Sequence, residues 1–541
     1  MENKIVKRKI GFISVMLIAV GSAIGAGIFF KAQSVLTNSR SSLALAIFSW
    51  ILAVFALITM ALAIIEVASA QKDNLSFVGW NRIFNPRWVH KASKNFVIYL
   101  MTPLIFFALP LYAILFLQTG LGVLRGTGGG IFTFGTDVDW LIWLFILMGI
   151  KIYFILVSGL NAKIGSIHNI FFIVTKFIPI VLVIVIGIVA VAQGYGQDVK
   201  LNLQPTDFDI KSGSPIVKYG SFGVILGVFL SIGSIFFAYD GFYVAAGLQS
   251  EMKQPKKTGL ALSMGILAIT IIYVSIAISM SLSGGGLFGF DVLMKKVLGS
   301  NAGRILYGIL TISVCLAILG IVNGYAMWIP RYVESLLAIG ELAFWDKYIN
   351  KLNPHNPKIG AIYTIIIVST TSIIFTIIGA LLYKNADIGY YAFSNDAAHT
   401  MANLYTFTDI VSNWITVFGF VFIGASIIGA YINRKTNKIS VNKVKGFKFF
   451  AISALIFITL ALGVQIFQPI IDLFLLIGFD RKQFPDAFSN LLVARMMIVL
   501  MLIIFIVAIF TITPIEDYLH KRKFGSIQKY NEYKQKILTN K

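Results

Sequence analysis

A chain of 541 residues with 57% hydrophobic and 13% charged residues is too apolar for a soluble multidomain protein, whose charged share lies near about 25%. The net charge of +22 is spread over lysines and arginines that fall between apolar runs and build no basic domain, which points to membrane topology and away from a nucleic acid partner. The single cysteine, Cys315, excludes an internal disulfide and a cysteine-based metal site.

The charged N-terminus, 1–9, runs directly into an apolar stretch that is too long for a signal peptide and ends without a small-residue cleavage site, so it is read as a retained first helix. In its middle lies Gly21-Ser22-Ala23-Ile24-Gly25-Ala26-Gly27-Ile28-Phe29. Each glycine weakens a helix by about 1 kcal/mol relative to alanine, and in a bilayer every backbone group freed by unwinding needs a partner. Two readings are open. The glycines let a neighbouring helix approach closely, or the helix is broken here and its second half aims amides and its positive end at an anionic ligand group.

Twelve apolar windows are long enough to span about 30 Å of hydrocarbon: 10–36, 42–69, 95–118, 138–160, 168–194, 221–250, 258–283, 303–330, 359–383, 407–433, 447–469 and 493–515. With the N-terminus inside, 30 Lys and Arg residues fall on the inner side, 12 on the outer side and 3 (Lys151, Lys176 and Arg495) within spans. That asymmetry places both termini in the cytoplasm. The chain divides into a first five-helix repeat (10–194), a second with its connecting loop (195–433), two further helices (434–515) and a basic tail (516–541). Five crossings per half make the second repeat inverted relative to the first. The sixth window, which opens the second half, is interrupted at Phe236-Phe237-Ala238-Tyr239-Asp240-Gly241-Phe242-Tyr243, the position that corresponds to the glycines of the first. Interruptions at matching places in two halves mark a transport site near the bilayer midplane.

Asp240 is the most informative single residue, because a carboxylate at the bilayer centre costs about 2.5–3.5 kcal/mol and must face a cavity or a partner. It serves either as a cap for the broken helix or as a direct contact for a substrate ammonium group. Lys176 in the fifth span is either an amine that burial brings into the range of proton exchange or a side chain that snorkels to water. Lys151 in the fourth span carries the same ambiguity and is read as snorkelling or loosely paired. Glu66, at the inner end of the second span, pairs with a basic residue or caps a helix. Glu251-Met252-Lys253-Gln254-Pro255-Lys256 reads as a cytoplasmic hinge, with Pro255 ending a helix. The five histidines stand at no metal-ligand spacing, no phosphate-binding loop of the GxxxxGK type occurs, and no nucleophile faces a base within the spans. These patterns predict neither an enzyme nor a cofactor nor a resident metal.

In order along residues 10–335, Gly21 to Phe29 is similar to the GxxIGxGIF signature of the amino acid-polyamine-organocation (APC) superfamily. Glu66-Val-Ala-Ser69 resembles its AELAS stretch, and Gly159 to Pro179 its fourth loop and fifth helix. Phe237-Ala-Tyr-Asp-Gly-Phe242 with the following Glu251-Met-Lys-Gln-Pro-Lys256 resembles its sixth helix and loop, and Asn323-Gly324 to Arg331 the end of its eighth. The resemblance implies an all-helical LeuT-type fold of two inverted five-helix repeats plus two helices, twelve in all, working by alternating access. It implies that a substrate carboxylate meets amides at Ala26 and Gly27 within the segment holding Ser22 and Gly25. The ammonium group would meet carbonyls at Ala23, Phe237 and Asp240 in the stretch that also holds Ala238 and Gly241, under a gate at Phe237 or Tyr239. Glu66, Glu251 and Arg331 fall on structural or gating positions, and Lys176 on the lysine that fills the sodium position in proton-coupled members. The implied function is secondary amino acid transport in a cell membrane by proton symport or exchange, with the amino acid, protons and the lipid bilayer as partners. A polyamine carrier, or a sensor or scaffold on the same fold, is the alternative. The chain departs from the family pattern at Asp73 to Trp80 and at Pro103 and Pro110, and the latter lie in a helix that lines the site.

Overall fold

A computed structural model describes residues 11–13, 16–17, 20, 24, 27–70, 75–126, 131–195, 223–243, 253–254, 257–282, 289–353, 356–383, 396–482 and 485–539. Ten of the twelve apolar windows coincide with helices long and apolar enough to cross a membrane. The other two windows hold only shorter helices among the described residues: α1 (Gly27–Asn38) in the first and α7 (Val224–Ala238) in the sixth. These are the two windows in which the sequence predicts interruptions.

The long helices are α2 (Leu43–Ala68), α4 (Arg87–Arg125), α5 (Asp139–Leu160), α6 (Ala162–Ala192), α8 (Thr258–Ser281), α10 (Ser300–Ala338), α11 (Lys358–Leu382), α12 (Asp396–Thr436), α13 (Phe447–Gly478) and α14 (Pro485–Phe524). Shorter helices α3 (Ser76–Phe84) and α9 (Phe290–Leu298) link them, and α15 (Ile527–Thr539) closes the chain. α2, α4 and α12 are mostly buried and form the middle of the bundle, whereas α11, α13 and α14 are mostly exposed. The exposed side chains there are apolar, as Ile366, Phe467 and Ile503 illustrate, and a bilayer is the medium in which such a belt is stable.

α4 shows how local sequence serves the site. Pro103 offers no amide to the turn before it, so the helix widens into a π-helical turn over Phe96–Met101 before resuming at Thr102. The Thr102 hydroxyl donates to the Val97 carbonyl at 2.7 Å, which helps to satisfy the loosened backbone. Beyond Pro110 the helix continues and presents Tyr112, fully buried, to the middle of the bundle.

At the end of the bundle where α2 and α12 finish, Glu66 is fully buried and paired with Arg434 at 2.6 Å. Its carboxylate also accepts from the Val444 amide at 2.7 Å, so it is the basic-residue partner reading of Glu66 that the structure adopts. Cys315 is a buried free thiol in α10. Lys151, read as snorkelling or loosely paired, does not snorkel: it is fully buried. Its ammonium donates to the Val368 carbonyl of α11 at 3.0 Å, because the face of α5 that carries Lys151 packs inward against α11.

Candidate functional site

The two interruptions meet. In the first span the Ile24 amide still donates to the Val20 carbonyl at 2.8 Å, and regular helix begins again at Gly27. A Cβ on Gly27 would lie 2.8 Å from Ala238 Cα, so the start of α1 abuts the end of α7 backbone to backbone. Gly27 is thus a close-packing glycine, as one of the two readings of the stretch has it, and it is also the first residue of the described helix α1. Ser22, Ala23, Gly25 and Ala26 lie outside the described residues, as does Glu251.

In the sixth span α7 ends at Ala238, Tyr239 to Gly241 form a turn, and Gly241 has φ 95°, a left-handed conformation that favours glycine. The Gly241 amide donates to Asp240 Oδ1 at 2.9 Å, a bond between neighbours within the turn. Asp240 also lies beside Tyr243 and Thr416. The first turn of a helix presents amides and its last turn carbonyls, so where the start of α1 meets the end of α7 donors lie on one side of the junction and acceptors on the other. A zwitterion needs that pairing.

Phe237 and Tyr239 point to different surroundings. Tyr239 is fully buried, with its ring 6.2 Å from that of Trp50 and 5.2 Å from that of Tyr273. Phe237 is half-buried, and Lys31 Nζ lies 4.9 Å from its ring centre. Of the two, Phe237 therefore stands at the site and Tyr239 in the packing behind it. Lys176 of α6 extends its ammonium to the Ile24 carbonyl at 3.5 Å, which brings it to the break in the first span. Arg331 stands apart near the end of α10, where it bonds its own helix at the Met327 carbonyl.

Four residues of α12 complete the site and were not foreseen. Asp409, Ser412, Asn413 and Thr416 follow the spacing i, i+3, i+4, i+7 and so share one helical face. Asp409 Oδ1 is 2.5 Å from Lys31 Nζ and accepts from the Tyr112 hydroxyl at 3.2 Å. Ser412 Oγ is 3.0 Å from that same hydroxyl. Lys31 is wholly buried, so a charge pair from α1 and α12 sits against Phe237, with α4 supplying the third partner. The signal in the sequence was the polar periodicity inside an otherwise apolar span. Among the described residues no group of three or more His, Cys, Asp or Glu side chains stands close enough to hold a metal ion.

The amino acid permease family model matches residues 10–517. An uncharacterized protein of Mycoplasma pneumoniae is 42% identical over 557 residues, covering 98% of both chains. The serine/threonine exchanger SteT of Bacillus subtilis is 24% identical over 356 residues, covering 64% of this chain and 72% of its own. Among solved structures, MhsT in complex with L-phenylalanine covers 83% of this chain and 98% of its own at 15% identity and TM-score 0.50. A mutant manganese transporter of Eremococcus coleocola covers 92% and 95% at 11% identity and TM-score 0.51. These likenesses establish the LeuT-type fold.

Proposed function

Because the chain belongs to the amino acid permease family, a family of secondary transporters, we propose that it carries an amino acid across a cell membrane by alternating access, as a proton-coupled symporter or an exchanger. The observation that carries this reading is the junction of Gly27 with Ala238, with the Lys176 ammonium at the Ile24 carbonyl beside it. In the proposal the substrate carboxylate takes the amides at the start of α1, where the helix dipole favours negative charge. Its ammonium group takes carbonyls of the turn from Phe237 to Asp240. Phe237, backed by the Lys31 and Asp409 pair, closes over the substrate, and both termini lie in the cytoplasm.

Lys176 supplies the coupling. Protonated, it donates to the Ile24 carbonyl and holds the first span's break in one geometry; neutral, it releases a positive charge from beside the carboxylate site. The name of the SteT relative makes serine and threonine the first substrates to try.

The test is uptake of labelled serine, threonine, alanine and arginine into proteoliposomes, with and without an imposed proton gradient, and with putrescine as competitor. Gradient-stimulated uptake that Lys176→Ala abolishes supports the reading. Uptake that depends on sodium and ignores pH, or full gradient-driven activity of Lys176→Ala, overturns the coupling. Competition by putrescine alone would favour a polyamine carrier.

A further inference from the structure

α8 runs behind the break in the sixth span and grips it through two hydroxyl groups. The Tyr273 hydroxyl donates to the Ala238 carbonyl at 3.1 Å. One turn away, Thr270 Oγ1 donates to the Ile266 carbonyl of its own helix at 2.7 Å. Its proton is thus committed, and in the 2.8 Å contact between Tyr239 and Thr270 the tyrosine is the donor. The rings of Trp50, Tyr239 and Tyr273 pack together with centres 5.2 to 6.2 Å apart, all three essentially without exposure.

Carbonyls in the last turn of a helix lack partners within it, and in a membrane no bulk water replaces them. At the end of α7 the Phe237 carbonyl takes the Asp240 amide at 3.3 Å and the Tyr239 carbonyl takes the Phe242 amide at 3.4 Å, both long. The Ala238 carbonyl instead takes a phenol from another helix. Ala238 is also the residue whose Cα meets Gly27, so Tyr273 holds the carbonyl of the residue against which the start of α1 rests.

We propose that Tyr273 is a positioning residue: its hydroxyl fixes the Ala238 peptide, and through it the register between the last turn of α7 and the first turn of α1, so that α8 sets the geometry in which the two helix ends receive a zwitterion. The neighbouring Phe237 and Tyr239 carbonyls each hold one long bond, and a carbonyl oxygen has a second lone pair with which to accept from a ligand. The inference rests on reading the break as an amino acid site.

The test compares wild type, Tyr273→Phe and Thr270→Val as purified full-length proteins, by thermal shift across a titrated panel of L-amino acids. Tyr273→Phe keeps the ring against Trp50 and Tyr239 and loses only the donated proton, so the concentration giving half the maximal stabilisation rises roughly three- to tenfold, the range of one hydrogen bond. Exchange of the backbone amides of residues 236–243 also becomes faster. Thr270→Val loosens the same helix pair away from the Ala238 peptide, so it lowers the unliganded melting temperature while the half-maximal concentration stays within twofold. Equal ligand response in wild type and Tyr273→Phe, or equal weakening by both variants, overturns the inference. A wild type that no amino acid stabilises overturns the amino acid reading, and this inference with it.

Discussion

The pair formed by Lys31 and Asp409 is asymmetric, and its asymmetry predicts which half matters more. The two charges are 2.5 Å apart, with the lysine side chain fully buried and the aspartate side chain 31% exposed. Their attraction is on the order of 6 kcal/mol at an effective dielectric near 20, most of which offsets desolvation. Asp409→Asn leaves an ammonium without exposure, supported by an amide oxygen, the Asp409 main-chain carbonyl at 3.5 Å and the Phe237 ring. It costs about 3 kcal/mol, at the low end for breaking a buried pair. Lys31→Met leaves a carboxylate that keeps the Tyr112 hydroxyl and its contact with solvent, and costs about 1–2 kcal/mol, nearer to one lost charged hydrogen bond. The double variant removes both charges and recovers most of the loss, giving a coupling of about 2 kcal/mol or more. Denaturant titration of the four proteins in detergent measures the cycle. Costs that add within about 0.5 kcal/mol, or a Lys31→Met more damaging than Asp409→Asn, would refute the reasoning. Uptake by the stable double variant then isolates what the charges contribute to closing over Phe237.

Two further outcomes follow from the packing at the junction and at the tail. Gly27→Ala places a methyl group 2.8 Å from Ala238 Cα, and since that neighbour is backbone the two helix ends must separate. A loss of about 1–3 kcal/mol is expected, with a larger fractional loss of amino acid binding than of folded protein, read by thermal shift with and without ligand. Glu341, in the loop after α10, is buried, which alone would raise its carboxyl, but Lys91 at 2.5 Å and Lys534 of α15 at 3.1 Å hold it down at about 2. Because the folded value lies below the ordinary one of 4.5, the pair's contribution is complete above about pH 4.5 and is lost as pH falls through about 2, on the order of 2–3 kcal/mol in all. Glu341→Gln reproduces that loss at neutral pH, and faster tryptic cleavage after Lys534 reports the release of α15. Cleavage unchanged from wild type would show that the tail is held by its other contacts, among them the bond from Trp345 Nε1 to the Tyr530 hydroxyl at 3.1 Å.

What the sequence made legible were features that contradict their surroundings locally. Three glycines in a lipid-spanning helix, and an aspartate beside a glycine in another, are costly without a purpose, so interruptions could be placed over Gly21 to Gly27 and Phe236 to Tyr243, the stretches that hold the start of α1 and the end of α7. The ten long helices were legible for the same reason, since apolar length alone forces them. Lys31 was not, because near the end of an apolar window it looks like any residue that marks topology. Its meaning depends on Asp409, 378 residues away, and no local pattern encodes that pairing. For Lys151 the sequence left snorkelling and loose pairing open on similar grounds: which face of α5 turns inward is decided by α11, and only the fold brings the Val368 carbonyl to its ammonium.

The α12 stripe lies between these cases. Its four polar residues at one helical face were visible in the sequence, but a polar stripe in a span can face another helix, a water-filled path or a ligand, and all three satisfy it equally. The fold resolves the ambiguity by setting Asp409 and Ser412 against Tyr112 and Thr416 against Asp240. The stripe thus runs from the charge pair beside Phe237 down to the turn at Asp240. Under the proposed mechanism a ligand that shifts the Asp240 turn would also shift the helix that carries the partner of Lys31. Ser412→Ala and Thr416→Val are therefore each expected to weaken both amino acid binding, read by thermal shift, and uptake into proteoliposomes. Variants that leave both readouts at the wild-type level would show that α12 does not link the two.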